Sequence, residues 1–326
     1  MGKNIAIKKD CLSVTAMPAR KKKIKFSERV KKDFIKNKEL YLMALPVLAF
    51  YLIFRYGPMF GISIAFKDYT PGKGFLGSNW VGLKHFKAFF NDYYFTRVLR
   101  NTVVISVSTL IFSFPVPIIL ALLINELKSR KFSRVVQTVT YMPHFISTVV
   151  ICSMIIQLTV KDGGINQFLS FFGFEPVTML NQPKYFVPIY VISGIWQDMG
   201  WNSIVYLSAL TSIDPELYTA AKIDGAGRFR QLIHITLPGL ASTIIIMLIL
   251  RIGKMFNVGH EKIILLYNEL TYERAEVIST YVYRKGLLQF NWSYSAAVGL
   301  FNSIVCFILV YTTNKISKKV SETSLW

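Results

Sequence analysis

Residues 102–124 read TVVISVSTLIFSFPVPIILALLI, twenty-three positions without one ionisable side chain. An α-helix rises about 1.5 Å per residue, so this stretch makes roughly 35 Å of helix, enough to cross a hydrocarbon core of about 30 Å. Inside a bilayer no water satisfies backbone N–H and C=O groups, which makes a self-satisfying helix the expected form. Five further runs have the same character: Leu40–Phe66, Val135–Val160, Tyr185–Leu210, Leu240–Phe256 and Ser293–Tyr311. The Leu240–Phe256 run is the shortest and carries Arg251 and Lys254 near one end. The first run is too long for a signal-peptide core and follows 39 residues of charged arm, so it is expected to persist as a span. The expected fold class is all-α, a polytopic membrane protein with six transmembrane helices.

Composition narrows the alternatives. The 326 residues are 52% hydrophobic and 17% charged, yet 38 Lys and Arg stand against 18 Asp and Glu, for a net charge of +20. A soluble domain with so few charges would expose large apolar patches. The 25 Phe and 17 Tyr exclude disorder. A nucleic-acid binder of this charge would interleave basic residues with polar surface and carry a recognisable motif, and none is present. Cys11, Cys152 and Cys306 show neither metal nor disulfide spacing and read as small apolar residues.

The positive charge orients the chain. With six spans both termini share a side, and 13 of the basic residues lie in the arm before the first span. The rule that Lys and Arg collect on the cytoplasmic side places both termini there. Expected boundaries are an N-terminal arm over 1–39, a six-helix membrane domain over 40–315 and a tail over 316–326. In the arm, Phe26, Val30 and Phe34 at i, i+4 spacing beside Arg20–Lys25 fit either an interfacial helix on anionic lipid or a solvated topology signal. The loop over 67–100, rich in Gly and aromatics, suits an ordered cap on the membrane. The loop over 257–292 carries Ile278, Tyr281, Val282, Leu287 and Leu288, a pattern for an amphipathic helix.

Between the fourth and fifth spans, residues 212–238 form a second informative stretch. Asp214 is placed to N-cap a helix, Pro215 fits its first position, and Glu216 favours the positive end of the dipole. Gly225 offers a residue that adopts positive φ at the helix end. A second helix runs from Arg228 toward Thr236, and Pro238 opens the next span. Ala220 and Ala221 leave a smooth face. The residues alone fit both a coupling element that docks into a partner and an ordinary connector.

This stretch resembles the EAA loop of ABC-importer permeases, written E-A-A, three residues, G, nine residues, I-x-L-P. Ala220, Ala221, Gly225, Ile235, Leu237 and Pro238 fall at that spacing, and Asp224 and Ala226 match the D-G-A form common in sugar importers. Thr219 stands where the motif has glutamate. Tyr56–Gly61, Ile64–Tyr69, Trp80–Leu83 and Ala297–Asn302 further resemble the complex-carbohydrate branch of that family. The resemblance implies a MetI-like type I importer permease in a bacterial cell membrane. It implies a second permease completing the pathway, a dimer of separate ATP-binding subunits, an extracellular solute-binding protein and a saccharide substrate. It also implies ATPase coupling through Tyr218, Thr219, Ala220, Ala221, Asp224, Gly225, Ala226, Leu237 and Pro238. The absence of a G-x-x-x-x-G-K-[ST] loop agrees with ATP hydrolysis on another chain. No catalytic residue, cofactor or metal is expected.

Polar residues inside spans are costly and face a cavity or a partner. Trp196, Gln197, Asp198, Trp201 and Asn202 form the densest such group, with Asp198 and Asn202 at i, i+4. Indole faces beside amide and carboxylate groups suit a sugar, and they equally suit an internal polar network between helices. Arg55, before the helix-bending Gly57-Pro58, is a further pathway candidate and an expected partner of Asp198. Arg251 and Lys254 are expected to snorkel to the surface, although they would attract an acidic cargo. Pro115, Pro117 and Pro143 are expected to bend helices, and His144 lacks companions for a metal. Two rival classes are weaker. A membrane enzyme needs acids or histidines gathered at one face, and a lone secondary transporter favours inverted repeats and buried coupling acids.

Overall fold

In the computed structural model, residues 33–321 are described. The readings on residues 1–32, including the basic cluster with Phe26 and Val30, and on Cys11 and residues 322–326, lie outside them. The chain divides into two compact units, Met1–Phe60 and Gly61–Trp326.

The first unit is built on helix α1 (Lys38–Tyr51), which has no buried residue despite being strongly apolar. A helix apolar all round and unburied by its own chain has lipid or another apolar surface as its natural neighbour. The α-helix widens to a π turn over Leu52–Tyr56 and tightens to a 3-10 helix over Gly57–Phe66. Pro58 has no N–H to give the carbonyl four residues back, so the ladder changes type around it.

The second unit begins with an antiparallel pair, β1 (Lys67–Asp68) and β2 (Asn79–Trp80), in the register Lys67–Trp80 and Asp68–Asn79. Helix α2 (Lys84–Phe90) follows, then α3 (Phe95–Ser113) and α4 (Pro115–Asn125), which together make one stretch of 31 residues interrupted only at Phe114. Next come α5 (Arg130–Tyr141), a 3-10 turn over Met142–Phe145, α6 (Thr148–Thr159) and the short α7 (Gly164–Ser170). Helix α8 spans Pro183–Leu210 and α9 spans Pro215–Ile223. A turn at Arg228–Gln231 and a π turn at Leu232–Thr236 lead into α10 (Leu237–Gly253). The loop that follows holds α11 (His260–Leu266) and α12 (Ile278–Tyr283), and α13 (Trp292–Ser321) ends the described chain.

Five helical stretches among the described residues are long and apolar enough to cross a membrane: Lys38–Phe66, Phe95–Asn125, Thr148–Ser170, Arg228–Gly253 and Trp292–Lys319. The sixth expected span, α8, has 28 residues, about 42 Å by helical rise, and is therefore long enough. Its apolarity is diluted by the polar group at 196–202. The third expected span needs correction. Val135–Val160 is two elements, because the helix stops at Tyr141 and restarts at Thr148. Pro143 sits in the 3-10 turn between them, and Ser147 caps the new helix by accepting from the Val150 N–H. The basic, amphipathic α5 therefore precedes the apolar span.

Three apolar clusters hold the second unit. One gathers Ile105, Cys152, Phe186, Ile263 and Val277. Another gathers Phe89, Val98, Tyr281, Tyr294 and Val298, and the third joins Ala121, Tyr206, Leu210 and Leu240. Helix α8 is common to the first and third, so it is the axis of the unit. Its Gly200 lies against the backbone of Thr140, whose carbonyl would collide with any Cβ there. That approach lets α5 and α8 pack at backbone distance.

A buried ion cluster fastens the loop after α10 to α3. Glu276 is fully buried, and its carboxylate accepts from Arg97 at 2.6 Å and from two Arg284 nitrogens at 2.8 and 2.6 Å. Asn101 Nδ2 donates to the carbonyls of Glu273 and Glu276, and the Ile278 N–H donates to Thr102 Oγ1 at 2.9 Å. Of the expected amphipathic pattern in this loop, Ile278 and Tyr281 are buried in α12. Leu287 and Leu288 lie exposed on a π turn over Arg284–Leu288.

Candidate functional site

Two features stand out, an exposed hairpin and a polar cavity. The hairpin begins where Asp214 accepts from the Glu216 N–H at 2.9 Å, with Pro215 at the first helical position. Helix α9 ends in a Schellman turn. Gly225 takes φ +75, its N–H donates to Lys222 O at 3.1 Å, and the Ala226 N–H donates to Ala221 O at 2.8 Å. Gln231 Nε2 donates to Ala226 O, and the Tyr218 hydroxyl meets Thr236 Oγ1 at 3.0 Å, which ties α9 to the chain entering α10. The hairpin presents Leu217, Ile223 and Phe229 to the outside, with Ile223 82% exposed. Thr219, in the motif's glutamate position, turns its hydroxyl back onto Pro215 O at 3.3 Å. Ala220, Asp224 and Gly225 are exposed, Ala221 and Ala226 half-buried, and Leu237 and Pro238 start α10. The sequence-derived coupling residues thus form one continuous element.

The cavity lies in the second unit between α3, α8, α10 and the loop after α10. Its main lobe is about 270 Å³ and is lined by Thr109, Tyr190, Asp198, Arg251, Lys254 and Asn257 among others. Two adjoining lobes, of about 100 and 220 Å³, add Ser113, Gln197, Asn202, Tyr206 and Lys262. Across the three lobes the charged lining consists of Arg251, Lys254, Lys262 and Asp198. None of the three cations enters an ion pair among the described residues. Thr109 Oγ1 and Ser113 Oγ, one turn apart on α3, are buried beside the same cavity without a hydrogen-bond partner among the described residues.

Asp198 has a partner that its position in the sequence did not suggest. His144 Nδ1 lies 3.0 Å from its Oδ1. The imidazole also stacks on Trp201, with centroids 4.6 Å apart and planes 6° from parallel, and Phe145 meets Trp201 edge-on. The break between α5 and α6 places His144 there, and the close approach at Gly200 brings α5 up to α8.

Of the pathway candidates, Gln197, Asp198 and Asn202 line the cavity. Trp201 belongs to the His144 stack, and Trp196 is 41% exposed outside the named lining. Arg55 is an exposed residue of the first unit. Arg251 and Lys254, expected to snorkel, are exposed and line the cavity. Lys262, Tyr190, Thr109, Ser113 and His144 were missed. The first four come from helices that meet only in three dimensions, although Thr109 and Ser113 show an i, i+4 polar stripe within an apolar run. No group of three or more His, Cys, Asp or Glu among the described residues forms a metal cluster, and Cys152 and Cys306 are free and buried.

An all-α membrane unit with a polar cavity along its helices and an exposed helical hairpin between two of them defines a membrane transport subunit. The family model for the inner membrane component of binding-protein-dependent transport systems matches residues 113–321, and the chain belongs to that family. It is 48% identical over 293 residues to the polygalacturonan/rhamnogalacturonan transport system permease protein YteP of Bacillus subtilis (strain 168), covering 90% of this chain and 91% of the relative. The arabinooligosaccharides transport system permease protein AraP of the same strain is 30% identical over 284 residues, covering 86% of this chain and 88% of the relative. Among solved structures, a chain of a bacterial alginate ABC transporter in complex with an alginate pentasaccharide-bound periplasmic protein aligns with TM-score 0.84 and 41% identity. That alignment covers 91% of this chain and all of the other.

Proposed function

We propose that this chain is one half of the translocation pathway of an ATP-driven importer for oligosaccharides that contain acidic sugars. A second permease completes the pathway, separate ATP-binding subunits engage the 212–238 hairpin, and an extracellular binding protein delivers the cargo. Both termini lie in the cytoplasm, on the hairpin's side of the membrane. The observation that carries the substrate class is the cavity's charge: three cations without ion pairs against one carboxylate. In a low-dielectric setting such an excess favours an anionic occupant over a neutral one. Hydroxyls, amides and aromatic rings in the same lining suit saccharide hydroxyls and C–H faces. The similar proteins named for polygalacturonan and alginate support the reading.

The hairpin carries the coupling. A helix held by a cap at each end and presenting small residues beside exposed apolar ones is a stiff docking element. ATPase closure on it would shift α8 and α10, which line the cavity. The test is uptake of a labelled oligogalacturonate in cells expressing the chain with the second permease, ATP-binding subunits and binding protein of its own source. Uptake should require ATP hydrolysis and stop when the Walker lysine of the ATPase is replaced. Uptake that persists without any ATPase would overturn the proposal in favour of a stand-alone transporter.

A further inference from the structure

Lys262 is the least accessible cation in the cavity. It sits on α11 and is 9% exposed, whereas Arg251 and Lys254 are exposed. Its ammonium stands 5.4 Å from the centroid of the Tyr190 ring. Gly194 of α8 lies beside it, where a Cβ would come into ordinary contact with Nζ at 3.7 Å, and both residues line the smallest lobe of the cavity. Cys152 Sγ contacts Lys262 O at 4.0 Å and helps hold α11 against α6. The nearby carboxylate of the lining, Asp198, is engaged by His144. Burial pulls the Lys262 ammonium below the usual lysine range. Asp198 offsets the buried ammonium only in part, since burial outweighs it, so a methionine of similar shape would be better tolerated by the fold. Tyr190 and Asp198 compensate the charge only weakly, and a ligand that brings a negative charge completes it.

We propose that Lys262 is the carboxylate-reading residue of this pathway, pairing with one uronic acid carboxylate as the oligosaccharide passes between α8 and α11. The assignment rests on the importer reading above. Arg251 and Lys254, open to solvent, attract anions from a distance and are screened by salt. Lys262 is screened much less, so it discriminates. A neutral sugar in front of it leaves the ammonium desolvated and unpaired, which is how a buried polar group rejects the wrong substrate.

The experiment uses the whole complex in proteoliposomes, with two probes: a galacturonate pentamer and the same pentamer with its carboxyls reduced to alcohols. The wild-type complex should take up the acidic probe at least tenfold faster than the neutral one. Lys262→Met should lower uptake of the acidic probe about tenfold and leave the neutral probe at least as fast as in wild type, while Lys262→Arg keeps most of the acidic uptake. The Lys262→Met chain should also melt no lower than wild type, because it loses an unpaired buried charge. Equal loss of both probes, unchanged acidic uptake, or a lower melting temperature would each overturn the proposal. A wild-type complex that hydrolyses ATP yet carries only the neutral probe, or neither, would overturn it and the acidic substrate class with it, while leaving ATP-driven import in place. Failure of the chain to associate with any ATPase would instead overturn the importer reading.

Discussion

Gly225→Ala isolates the backbone of the hairpin. The native φ is +75, and a Cβ at this position meets nothing within 4 Å, so steric crowding contributes no cost. What remains is the left-handed conformation itself, which costs an L-residue about 1–2 kcal/mol relative to glycine. The turn has two hydrogen bonds with which to resist, Gly225 N to Lys222 O and Ala226 N to Ala221 O. Each contributes roughly 0.5–1.5 kcal/mol net, and less in this exposed setting. Cost and resistance are comparable, so the capped turn should lose population relative to open forms by a factor of about 5–30. Gly225→Asn is the matched control, because asparagine tolerates positive φ although it is larger. Hydrogen exchange at amides 224–226 should speed up in the alanine variant and change little in the asparagine variant. Retention of the ATPase subunits during purification should fall in the same order, alanine below asparagine. If asparagine is the more damaging substitution, the position is sensitive to volume at a contact surface, and the argument from backbone conformation fails.

Three other outcomes follow from the same kind of accounting. Gly200→Ala should destabilise the chain by about 2–3 kcal/mol, because the added methyl collides first with the Thr140 backbone, which cannot swing aside, and then with Tyr141 Cδ1 at 2.9 Å. Thermal unfolding in detergent reads the loss, and Trp201 emission should shift as its stack with His144 is pushed apart. Glu276→Gln should cost about 3 kcal/mol, the low end for breaking a buried pair, since the Arg97 and Arg284 side chains keep 27% and 21% exposure. At Asp92 burial alone would raise the pKa, but the Tyr94 N–H and the Tyr281 and Tyr294 hydroxyls donate to the carboxylate and bring it below the ordinary range. With the folded value depressed, its stabilisation is present above pH ~4 and is lost as pH falls through the folded value. Asp92→Asn should therefore lower the melting temperature at pH 7 and weaken its dependence on pH below 4, as scanning calorimetry would read.

The spans and the hairpin were legible because their causes are local. A run without charges, an N-capping aspartate and a glycine at a helix end act through neighbours a few residues away. The cavity was legible only in part, through Gln197, Asp198 and Asn202 on one helix. Its cations were the least legible part, for a specific reason. Near a span's end Arg251 and Lys254 have snorkelling as the default outcome, and only the packing of α3 and α8 against α10 turns that region into a cavity wall. Lys262 lies in a polar loop, where a lysine attracts no notice until burial is known. The third span was misplaced because apolar content at 135–141 hid a helix stop at Met142–Ser147, which Pro143 and Ser147 mark in hindsight.

The Glu276 cluster has a mechanical consequence. Arg97, Asn101 and Thr102 occupy two turns of α3, and all three grip the segment 273–278. The N-terminal half of that long span is thereby splinted to the cap over it. Its other half is not. Pro115 and Pro117 cannot donate to the carbonyls of Ile111 and Ser113, so the rod is weakest just where α3 gives way to α4 at Phe114. A pull arriving from the hairpin end should flex the span at that joint, about halfway along, like an oar turning in its lock while the cap stays still.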